Sequence, residues 1–418
     1  MTQQVEYAVA VKSGTLDAVV SVPGSKSIAN RALICAALAR GASFISGVPG
    51  GDDTQAMLQS LEMLGASIIR DGETAHFEQQ IDLNREDAVT VNANLAGTTA
   101  RFLTSVGALR KGPLTVTGNE SLRGRPMKDL HLALGQLGAG VSWQGEKYCL
   151  PVTVQRGVSC SDSVQVSANT SSQFVTSLML IAPMLDSGLT IELVGDVISL
   201  PYITMSASVM RSFGANVRIV NDRNIVIDGG EYIGCEYVVE PDASSASYPF
   251  AAAAIVGGRV RVNRMATTMM QGDSRFIDVL RQMGCVVSED QGGVTIVRDT
   301  NSSLRGIDVD MSEISDLVPT LAMVAMFAQT ATRIRGVGFI RNKESDRIGD
   351  LATEMRRLGA SVVEHEDGLE IAPQPLHSGR CDTHHDHRLA MAFGIAGLKL
   401  PGVIINDPHV VSKSWPQF

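Results

Sequence analysis

Apolar and polar residues recur along the chain in two kinds of helical segment. The first kind is amphipathic and ends in a glycine that is followed by small or β-branched residues. Its glycines are almost evenly spaced and lie at Gly65, Gly138, Gly214, Gly284 and Gly359. Glycine after a helical pattern is a C-cap signal, and β-branched residues after it favour a strand. The pattern therefore predicts five transitions from helix to strand.

The second kind of segment is more apolar and opens with small or polar residues. Its starts are spaced as evenly as the glycines and lie at Lys26, Gly97, Ser171, Ser244, Asp316 and Asp386. This pattern predicts six buried helices with polar N-termini. Because both kinds share one period, they alternate along the chain in a unit of strand, helix, strand, helix, strand, strand. Six copies of about 72 residues, each with a buried helix, imply an α/β fold in which sheets surround helices.

The repeats also predict the domain organisation. Three copies follow a crossover near residue 21 and three follow one near residue 240, which gives a discontinuous domain of residues 1–21 and 240–418 and a second domain of 22–239. The strand pattern in Val5 to Val11 is expected to complete the sixth copy, returning the N-terminus to the C-terminal domain. The sequence stops at Phe418, where another second-kind helix should begin, so we expect a truncated or shortened C-terminus.

Composition narrows the functional classes. The 418 residues are 44% apolar and 19% charged, as in a globular protein. A net charge of −9 argues against a general nucleic-acid or anionic-membrane surface. The six cysteines are scattered, no secretory signal precedes Val11, and the apolar run from Phe174 to Leu185 is too short to cross a bilayer. We expect a cytoplasmic monomer with buried thiols and no membrane or nucleic-acid partner.

Cations collect at or near the predicted helix starts. A helix N-terminus offers free N–H groups and a partial positive charge, which suit phosphate or carboxylate. Taken singly, each cation is typical of a solvated surface charge, but their recurrence at equivalent positions predicts a cleft that faces multiply charged anions. These cations are Lys26, Arg31, Arg101, Arg125, Lys343, Arg347, Arg388 and Lys413.

Two other motifs fail on inspection. The segment from Gly24 to Ser27 lacks the glycine spacing of a Walker A loop. The run from His384 to His387 lacks a partner cluster with metal-ligand spacing, so a structural or substrate role is favoured over metal binding.

Seven strings together resemble the 5-enolpyruvylshikimate-3-phosphate synthase family, and the resemblance runs nearly end to end. The strings are Pro23 to Arg31, Ala96-Gly97-Thr98, Gly124-Arg125-Pro126, Ser171-Ser172-Gln173, Asp242 to Tyr248, Lys343 to Arg347 and Asp386-His387-Arg388. The family has two domains, each of three βαβαββ units, with both ligands between them. The resemblance thus implies the enolpyruvyl transferase-like architecture that the repeats predict.

The resemblance implies transfer of the enolpyruvyl group of phosphoenolpyruvate to the 5-hydroxyl of shikimate 3-phosphate, with release of phosphate and without metal or cofactor. It implies that Asp316 is the base and that Glu344, assisted by Lys26, is the proton source. Read from the residues alone, Asp316 also suits a helix N-cap, and Glu344 suits a surface ion pair.

The resemblance also implies two sets of ligand-binding residues. Those for phosphoenolpyruvate are Lys26, Gly97, Arg125, Gln173, Arg347, Arg388 and Lys413. Those for shikimate 3-phosphate are Lys26, Ser27, Arg31, Ser171, Ser172, Gln173, Ser199, Tyr202, Asp316 and Lys343. For Tyr202, ordinary core packing remains an alternative.

Three departures from the family pattern are Leu95 for a common asparagine, Phe102 for a common proline, and Phe339 where some members have asparagine. The first two flank the site that the inhibitor glyphosate occupies in the family, so we predict reduced glyphosate sensitivity.

Two alternative functions stay open. One is the related transferase that acts on UDP-N-acetylglucosamine, although Gly118 to Arg125 lacks its cysteine. The other is a non-catalytic anion-binding paralogue.

Overall fold

The computed structural model describes residues 5–157, 161–167, 171–195, 200–221 and 223–418. The chain divides into two compact units. The central unit is Gly24–Glu240, and the terminal unit combines Met1–Pro23 with Pro241–Phe418.

Helices and strands alternate along the chain in the order that the repeats predict. The α-helices are α1 (Lys26–Leu38), α2 (Asp52–Met63), α3 (Gly97–Gly107), α4 (Glu120–Arg123), α5 (Lys128–Gln136), α6 (Ser172–Ile181), α7 (Leu200–Ser212), α8 (Ala243–Val256), α9 (Phe276–Gln282), α10 (Val318–Ala325), α11 (Gly349–Arg357) and α12 (His387–Gly397). The strands are β1 (Glu6–Ala8), β2 (Leu16–Val20), β3 (Ser43–Ser46), β4 (Ser67–Asp71), β5 (Thr74–Gln79), β6 (Val89–Asn92), β7 (Leu114–Thr117), β8 (Gly140–Trp143), β9 (Val152–Gln155), β10 (Ser163–Ser167), β11 (Leu189–Val194), β12 (Val217–Asn221), β13 (Asn224–Ile227), β14 (Glu236–Val238), β15 (Gly258–Asn263), β16 (Val286–Asp290), β17 (Gly293–Arg298), β18 (Asp308–Asp310), β19 (Thr332–Arg335), β20 (Ser361–His365), β21 (Gly368–Ala372), β22 (Gly379–Asp382) and β23 (Val403–Asn406).

The strands of the described ranges form six small mixed sheets. In the sheet β6-β7-β9-β8, the first two strands are parallel and the remaining pairs are antiparallel. The parallel pair brackets helix α3, because two parallel strands need a crossover element between them. The sheets β10-β11-β13-β12 and β18-β19-β21-β20 repeat this order, so one topology recurs along the chain.

The first strand of two repeats is exchanged. Strand β2 does not pair with β3, which follows it, but runs parallel to β15 in the sheet β16-β17-β15-β2. Strand β14 takes the corresponding place beside β3 in the sheet β14-β3-β5-β4. The chain therefore changes unit at Pro23–Gly24 and again at Glu240–Pro241.

The N-terminal strand completes the last repeat, as the sequence predicts. Strand β1 pairs antiparallel with β23, opposite β22, so that Glu6 lies opposite Asn406. The resulting sheet has three strands, and the fourth place of the repeat is not filled by a described strand.

The second-kind segments form the buried helices. In the central unit α1, α3 and α6 contact one another, and in the terminal unit α8, α10 and α12 do the same. Their side chains are almost wholly buried, because these helices lie inside the sheets and not on the surface. The predicted α/β class with sheets around helices is therefore confirmed. No helix among the described residues is long and apolar enough to span a bilayer.

The glycines that end the first-kind helices behave as predicted. Each lies beyond the end of its helix with positive φ, between 83° and 110°. At Gly24 the constraint is different: a Cβ atom there would lie 1.8 Å from the carbonyl oxygen of Gly47. Only glycine fits this close backbone approach, which sets the start of α1.

The predicted N-cap role of Asp316 is wrong. A 3-10 helix, Ser312–Leu317, precedes α10, and Leu317 is the N-cap residue of α10 without a side-chain cap bond. Asp316 lies inside the 3-10 turn, so its carboxylate is available to partners from other elements.

Candidate active site

The terminal unit brings six of the predicted site residues together. Arg347, before α11, lies at their centre with a guanidinium that is 1% exposed. Its Nη1 atom donates to Asp316 Oδ1 at 2.9 Å, and Nη2 donates to Glu344 Oε2 at 2.8 Å. The two predicted acid–base residues are thus held by one arginine.

Two further cations hold the outer oxygens of these carboxylates. Arg388, at the start of α12, donates to Asp316 Oδ2 at 2.8 Å. Lys413, in the C-terminal 3-10 helix, donates to Glu344 Oε1 at 2.7 Å and is buried. Lys343 lies 3.8 Å from Asp316 Oδ1, and its ammonium stands over the Phe339 ring. Glu344 is 16% exposed, so the expected surface ion pair is in fact a largely buried one.

Asp386 anchors this arrangement, although the sequence assigned it no role. Its carboxylate is 0% exposed and accepts hydrogen bonds from Arg347 Nε at 2.7 Å and from the Arg388 backbone N–H at 2.9 Å. The second bond caps α12, so one side chain fixes both the helix start and the central arginine. Asp386 belongs to the family string Asp386-His387-Arg388, and this string is the sequence signal that could have identified it. We call these residues the terminal-unit cluster: Asp316, Lys343, Glu344, Arg347, Asp386, Arg388 and Lys413.

Burial and neighbouring charges shift the pKa values of Asp316 and Arg347 in opposite directions. Burial raises the pKa of Asp316, but the positive charges of Arg388, Lys343 and Arg347 outweigh it and hold that pKa below its ordinary value. Burial lowers the pKa of Arg347, but Asp386, Glu344 and Asp316 outweigh it and hold that pKa above its ordinary value. Asp316 is therefore ionised while these cations face it.

The central unit holds a second set of predicted residues around the start of α3. Arg101 Nη1 donates to Gln173 Oε1 at 2.6 Å, which joins α3 to α6. A Cβ atom on Gly97 would lie 2.6 Å from Arg101 Nη1 and 3.6 Å from Arg125 Nη1, so both guanidinium groups reach the glycine. Arg125 Nη2 is buried and has no hydrogen-bond partner among the described residues. Two guanidinium groups beside a residue without a side chain suit a carboxylate or phosphate.

Lys26, at the start of α1, adjoins this set. Its Nζ atom lies 2.8 Å from Asp53 Oδ2, and the Asp53 backbone carbonyl accepts from Thr99 in α3. Sequence reasoning missed Asp53. Its only signal is the acidic start of α2 after Gly51, which ordinary helix capping explains equally well.

Arg31 lies one turn further into α1 and is 1% exposed. Its Nε atom donates to Ser206 at 2.8 Å, its Nη1 to the Ser27 carbonyl at 2.6 Å, and its Nη2 to Thr176 at 3.4 Å. Burial lowers the pKa of Arg31 to about 10, and no carboxylate in the described ranges pairs with it. The rings of Phe102 and Tyr202 flank the guanidinium at 5.5 and 6.0 Å.

The remaining predicted residues lie at the start of α6, in α7 or outside the described residues. Ser171 caps α6 by accepting the Gln173 N–H at 3.3 Å, and Ser172 opens the helix. Tyr202 lies in the first turn of α7. Ser199 lies outside the described residues. No cluster of three potential metal-ligating side chains occurs in the ranges that the structure covers.

Comparison with known proteins identifies the family. The family model of EPSP synthase (3-phosphoshikimate 1-carboxyvinyltransferase) matches residues 11–418. Proteins named 3-phosphoshikimate 1-carboxyvinyltransferase from Trichormus variabilis and Methanoculleus marisnigri are each 40% identical, the first over 96% of this chain and 95% of its own length, the second over 97% and 96%. An EPSP synthase structure from Acinetobacter baumannii superposes with a TM-score of 0.82 at 24% identity, over 99% of this chain and 96% of that one, which is a likeness of fold. The chain therefore belongs to the EPSP synthase family.

Proposed function

We propose that this protein transfers the enolpyruvyl group of phosphoenolpyruvate to the 5-hydroxyl of shikimate 3-phosphate and releases inorganic phosphate, a step of chorismate and aromatic amino acid biosynthesis. Membership of the EPSP synthase family and relatives named 3-phosphoshikimate 1-carboxyvinyltransferase support this reaction. The observation that carries the assignment of roles is the pairing of Asp316 and Glu344 on one buried arginine. Two carboxylates so placed suit proton removal and proton delivery within one reaction.

The reaction proceeds by addition and elimination. In the addition, Asp316 takes the proton of the 5-hydroxyl, whose oxygen bonds to C2 of phosphoenolpyruvate, while Glu344, assisted by Lys26, delivers a proton to the C3 methylene. In the elimination, Glu344 takes a proton back from the new methyl group, the double bond between C2 and C3 forms again, and the bond between C2 and the phosphate oxygen breaks. Phosphate departs with that electron pair, and nearby cations stabilise its charge. Asp316 returns its proton to the departing phosphate.

The ion pairs of the terminal-unit cluster supply a means of tuning the base. Phosphoenolpyruvate carries a carboxylate and a phosphate, which compete with Asp316 and Glu344 for Arg347, Arg388 and Lys413. When these cations turn to the ligand, they lower the pKa of Asp316 less strongly, and the carboxylate becomes a better base. Ligand binding and base activation are thereby linked through the same guanidinium groups.

The central unit contributes the other predicted ligand contacts. Gly97, Arg125 and Gln173 with Lys26 are proposed for phosphoenolpyruvate. The buried guanidinium of Arg31, which is held by hydroxyl groups and has no described carboxylate partner, suits an anionic group of shikimate 3-phosphate. The full shikimate 3-phosphate set proposed is Lys26, Ser27, Arg31, Ser171, Ser172, Gln173, Ser199, Tyr202, Asp316 and Lys343. Because each unit holds only part of either set, we further propose that both ligands bind between the units.

A phosphate-release assay tests the function. Purified protein with shikimate 3-phosphate and phosphoenolpyruvate is expected to release phosphate and form the enolpyruvyl ether in equal amounts. UDP-N-acetylglucosamine with phosphoenolpyruvate serves as the matched substrate control and is expected to give no product. If phosphoenolpyruvate reacts with UDP-N-acetylglucosamine and not with shikimate 3-phosphate, the protein is the related transferase. If both shikimate-pathway ligands bind and no product forms, the protein is an anion-binding paralogue.

A further inference from the structure

A buried carboxyl outside the predicted site lies behind Arg388. Asp273 is 5% exposed and belongs to a 3-10 turn, Gly272–Arg275, between β15 and α9. The turn is fastened to the start of α8 by Gln271, whose side chain accepts the Ala243 N–H at 2.9 Å and donates to the Pro241 carbonyl at 2.7 Å. The Asp273 carboxyl is therefore held in a fixed place against the first turn of α8.

Ser244 joins Asp273 to the terminal-unit cluster. The Ser244 hydroxyl donates to Asp273 Oδ2, and its oxygen accepts from Arg388 Nη2 at 3.5 Å. The same Nη2 atom donates to Asp316 Oδ2 at 2.8 Å. A serine hydroxyl has one proton, so donation to Asp273 leaves its lone pairs directed at the guanidinium.

We propose that Asp273 is a positioning residue, which acts through the Ser244 hydroxyl to orient the Arg388 guanidinium toward phosphoenolpyruvate. The proposal rests on the function proposed above, in which Arg388 binds that substrate. When Asp273 is ionised, it fixes the Ser244 hydroxyl as a donor. When Asp273 is protonated, its own O–H can donate, and the serine hydroxyl is free to turn away from this orientation.

We expect the charge of Asp273 to change near neutral pH. The pKa of Asp273 is raised to about 7. Burial and the negative charges of Asp316 and Asp242 raise this pKa, and the Ser244 hydrogen bond and the positive charge of Arg388 offset part of the rise. These groups lie on or beside α8, on the 3-10 helix that contains Asp316, and on α12. Arg275 in the same turn pairs instead with Glu313. The orientation of Arg388 is thus expected to be best defined above pH 7 and less so below it.

Steady-state kinetics between pH 6 and 9 test the proposal. Asp273→Asn mimics the protonated carboxyl, so at pH 8.5 it is expected to raise the KM for phosphoenolpyruvate on the order of 3- to 10-fold, the worth of one hydrogen bond. The KM for shikimate 3-phosphate and kcat should stay within about twofold of the unmodified protein. At pH 6, where Asp273 is protonated in the unmodified protein, the two proteins should converge.

Three further proteins complete the experiment. Ser244→Ala should match Asp273→Asn at pH 8.5, and the double variant should lose no more than either, because both act through one path. Asp278→Asn makes the same chemical change on an exposed carboxylate of α9 and should behave as the unmodified protein. A loss in Asp273→Asn that is equal at every pH, or losses that add in the double variant, would overturn the proposal.

A readout that needs no turnover separates this inference from the proposed function. In ¹⁵N-labelled protein, the Arg388 Nε–H resonance, identified by its absence in Arg388→Lys, is expected to titrate with a midpoint near pH 7 and to lose that titration in Asp273→Asn. A resonance that titrates identically in both proteins refutes the role of Asp273. An inactive protein that retains the titration refutes the proposed function instead.

Discussion

At the scale of single residues, Arg347 is the most heavily shared side chain of the site. Its guanidinium donates hydrogen bonds to three carboxylates, those of Asp316, Glu344 and Asp386, and its side chain is only 1% exposed. Moving charges out of water is costly, and this cost is offset only when every partner is present. The roles proposed for Asp316 and Glu344 are therefore best tested by substitutions that keep their shape.

Asp316→Asn is expected to lower turnover by at least about a hundredfold, because the amide keeps the shape but cannot accept the hydroxyl proton. Binding of shikimate 3-phosphate, measured by calorimetry, should persist. Unchanged turnover in Asp316→Asn would show that Asp316 is not the base.

Glu344→Gln should slow incorporation of solvent deuterium into the methyl carbon, because the amide cannot deliver the proton. Normal deuterium incorporation in this variant would assign the proton source to Lys26.

Leu95, two residues before Gly97, is half-buried and cannot donate the hydrogen bond of an asparagine at that place. A hydrogen bond to a charged ligand is worth about 1.5–3 kcal/mol. We expect weak inhibition by glyphosate in the unmodified protein and tighter inhibition in Leu95→Asn, measured as Ki against phosphoenolpyruvate. Tight inhibition of the unmodified protein, far below its KM for phosphoenolpyruvate, would contradict this expectation.

The sequence predicts the cations of the site better than their partners. Lys26, Arg347 and Arg388 stand out because they recur at or near helix starts, which periodicity reveals. Their partner Asp53 carries no such signal, and Asp386, although it opens a predicted helix, shows nothing in its position that pairs it with Arg347. Which carboxylate faces a cation depends on packing between elements far apart in the chain. Asp273 is a sharper case: nothing in its local sequence shows that it is buried against α8.

At the scale of elements, the start of α12 depends on Asp386. Asp386→Ala removes the N-cap and the acceptor of Arg347 Nε together, and it leaves a buried cation with one partner fewer. Breaking a buried pair on one side costs about 3–5 kcal/mol, and urea denaturation should show a loss of that order. Asp17→Ala, which removes an exposed partner of Arg259, is the control and should change little. Equal losses in the two variants would contradict this view.

Asp273 lies in the 3-10 turn that packs against the start of α8, and its burial affects how stability depends on pH. The pKa of Asp273 rises from 3.8 to about 7 on folding, so the folded state binds its proton more tightly than the unfolded state. Stability should therefore fall as pH rises from about 4 to 7, with a slope of up to ~1.4 kcal/mol per pH unit from this group. Asp273→Asn should remove that contribution in urea denaturation series. A slope that is identical in both proteins would show that Asp273 is not responsible.

At the scale of the whole molecule, the repeats predict the order of elements and the alternation of buried and amphipathic helices. They do so because each copy must bury one apolar helix, and that need is written in composition at a fixed period. The exchange of β2 and β14 is not predictable in this way. Both strands satisfy the same pattern, and either pairing would satisfy the same alternation of apolar and polar faces.

The exchange gives the units different degrees of independence. The central unit, 24–240, is one continuous segment that contains every described strand of its three sheets, including β14. It is expected to unfold cooperatively when expressed alone, as followed by circular dichroism. The segment 241–418 lacks β1 and β2 and should remain poorly ordered until a peptide that carries both strands is added. Cooperative unfolding of 241–418 without the peptide would contradict the importance of these two strands.

The pairing of Glu6 with Asn406 has a consequence for biosynthesis. The ribosome makes the N-terminal strands first, yet β2 cannot pair until β15 has emerged, and β1 must wait for β23 near the end of the chain. The central unit can complete its sheets while β1 and β2 are still unpaired. Strands β1 and β2 are thus made before the strands with which they pair, and the last sheet of the terminal unit can close only after β23 has left the ribosome.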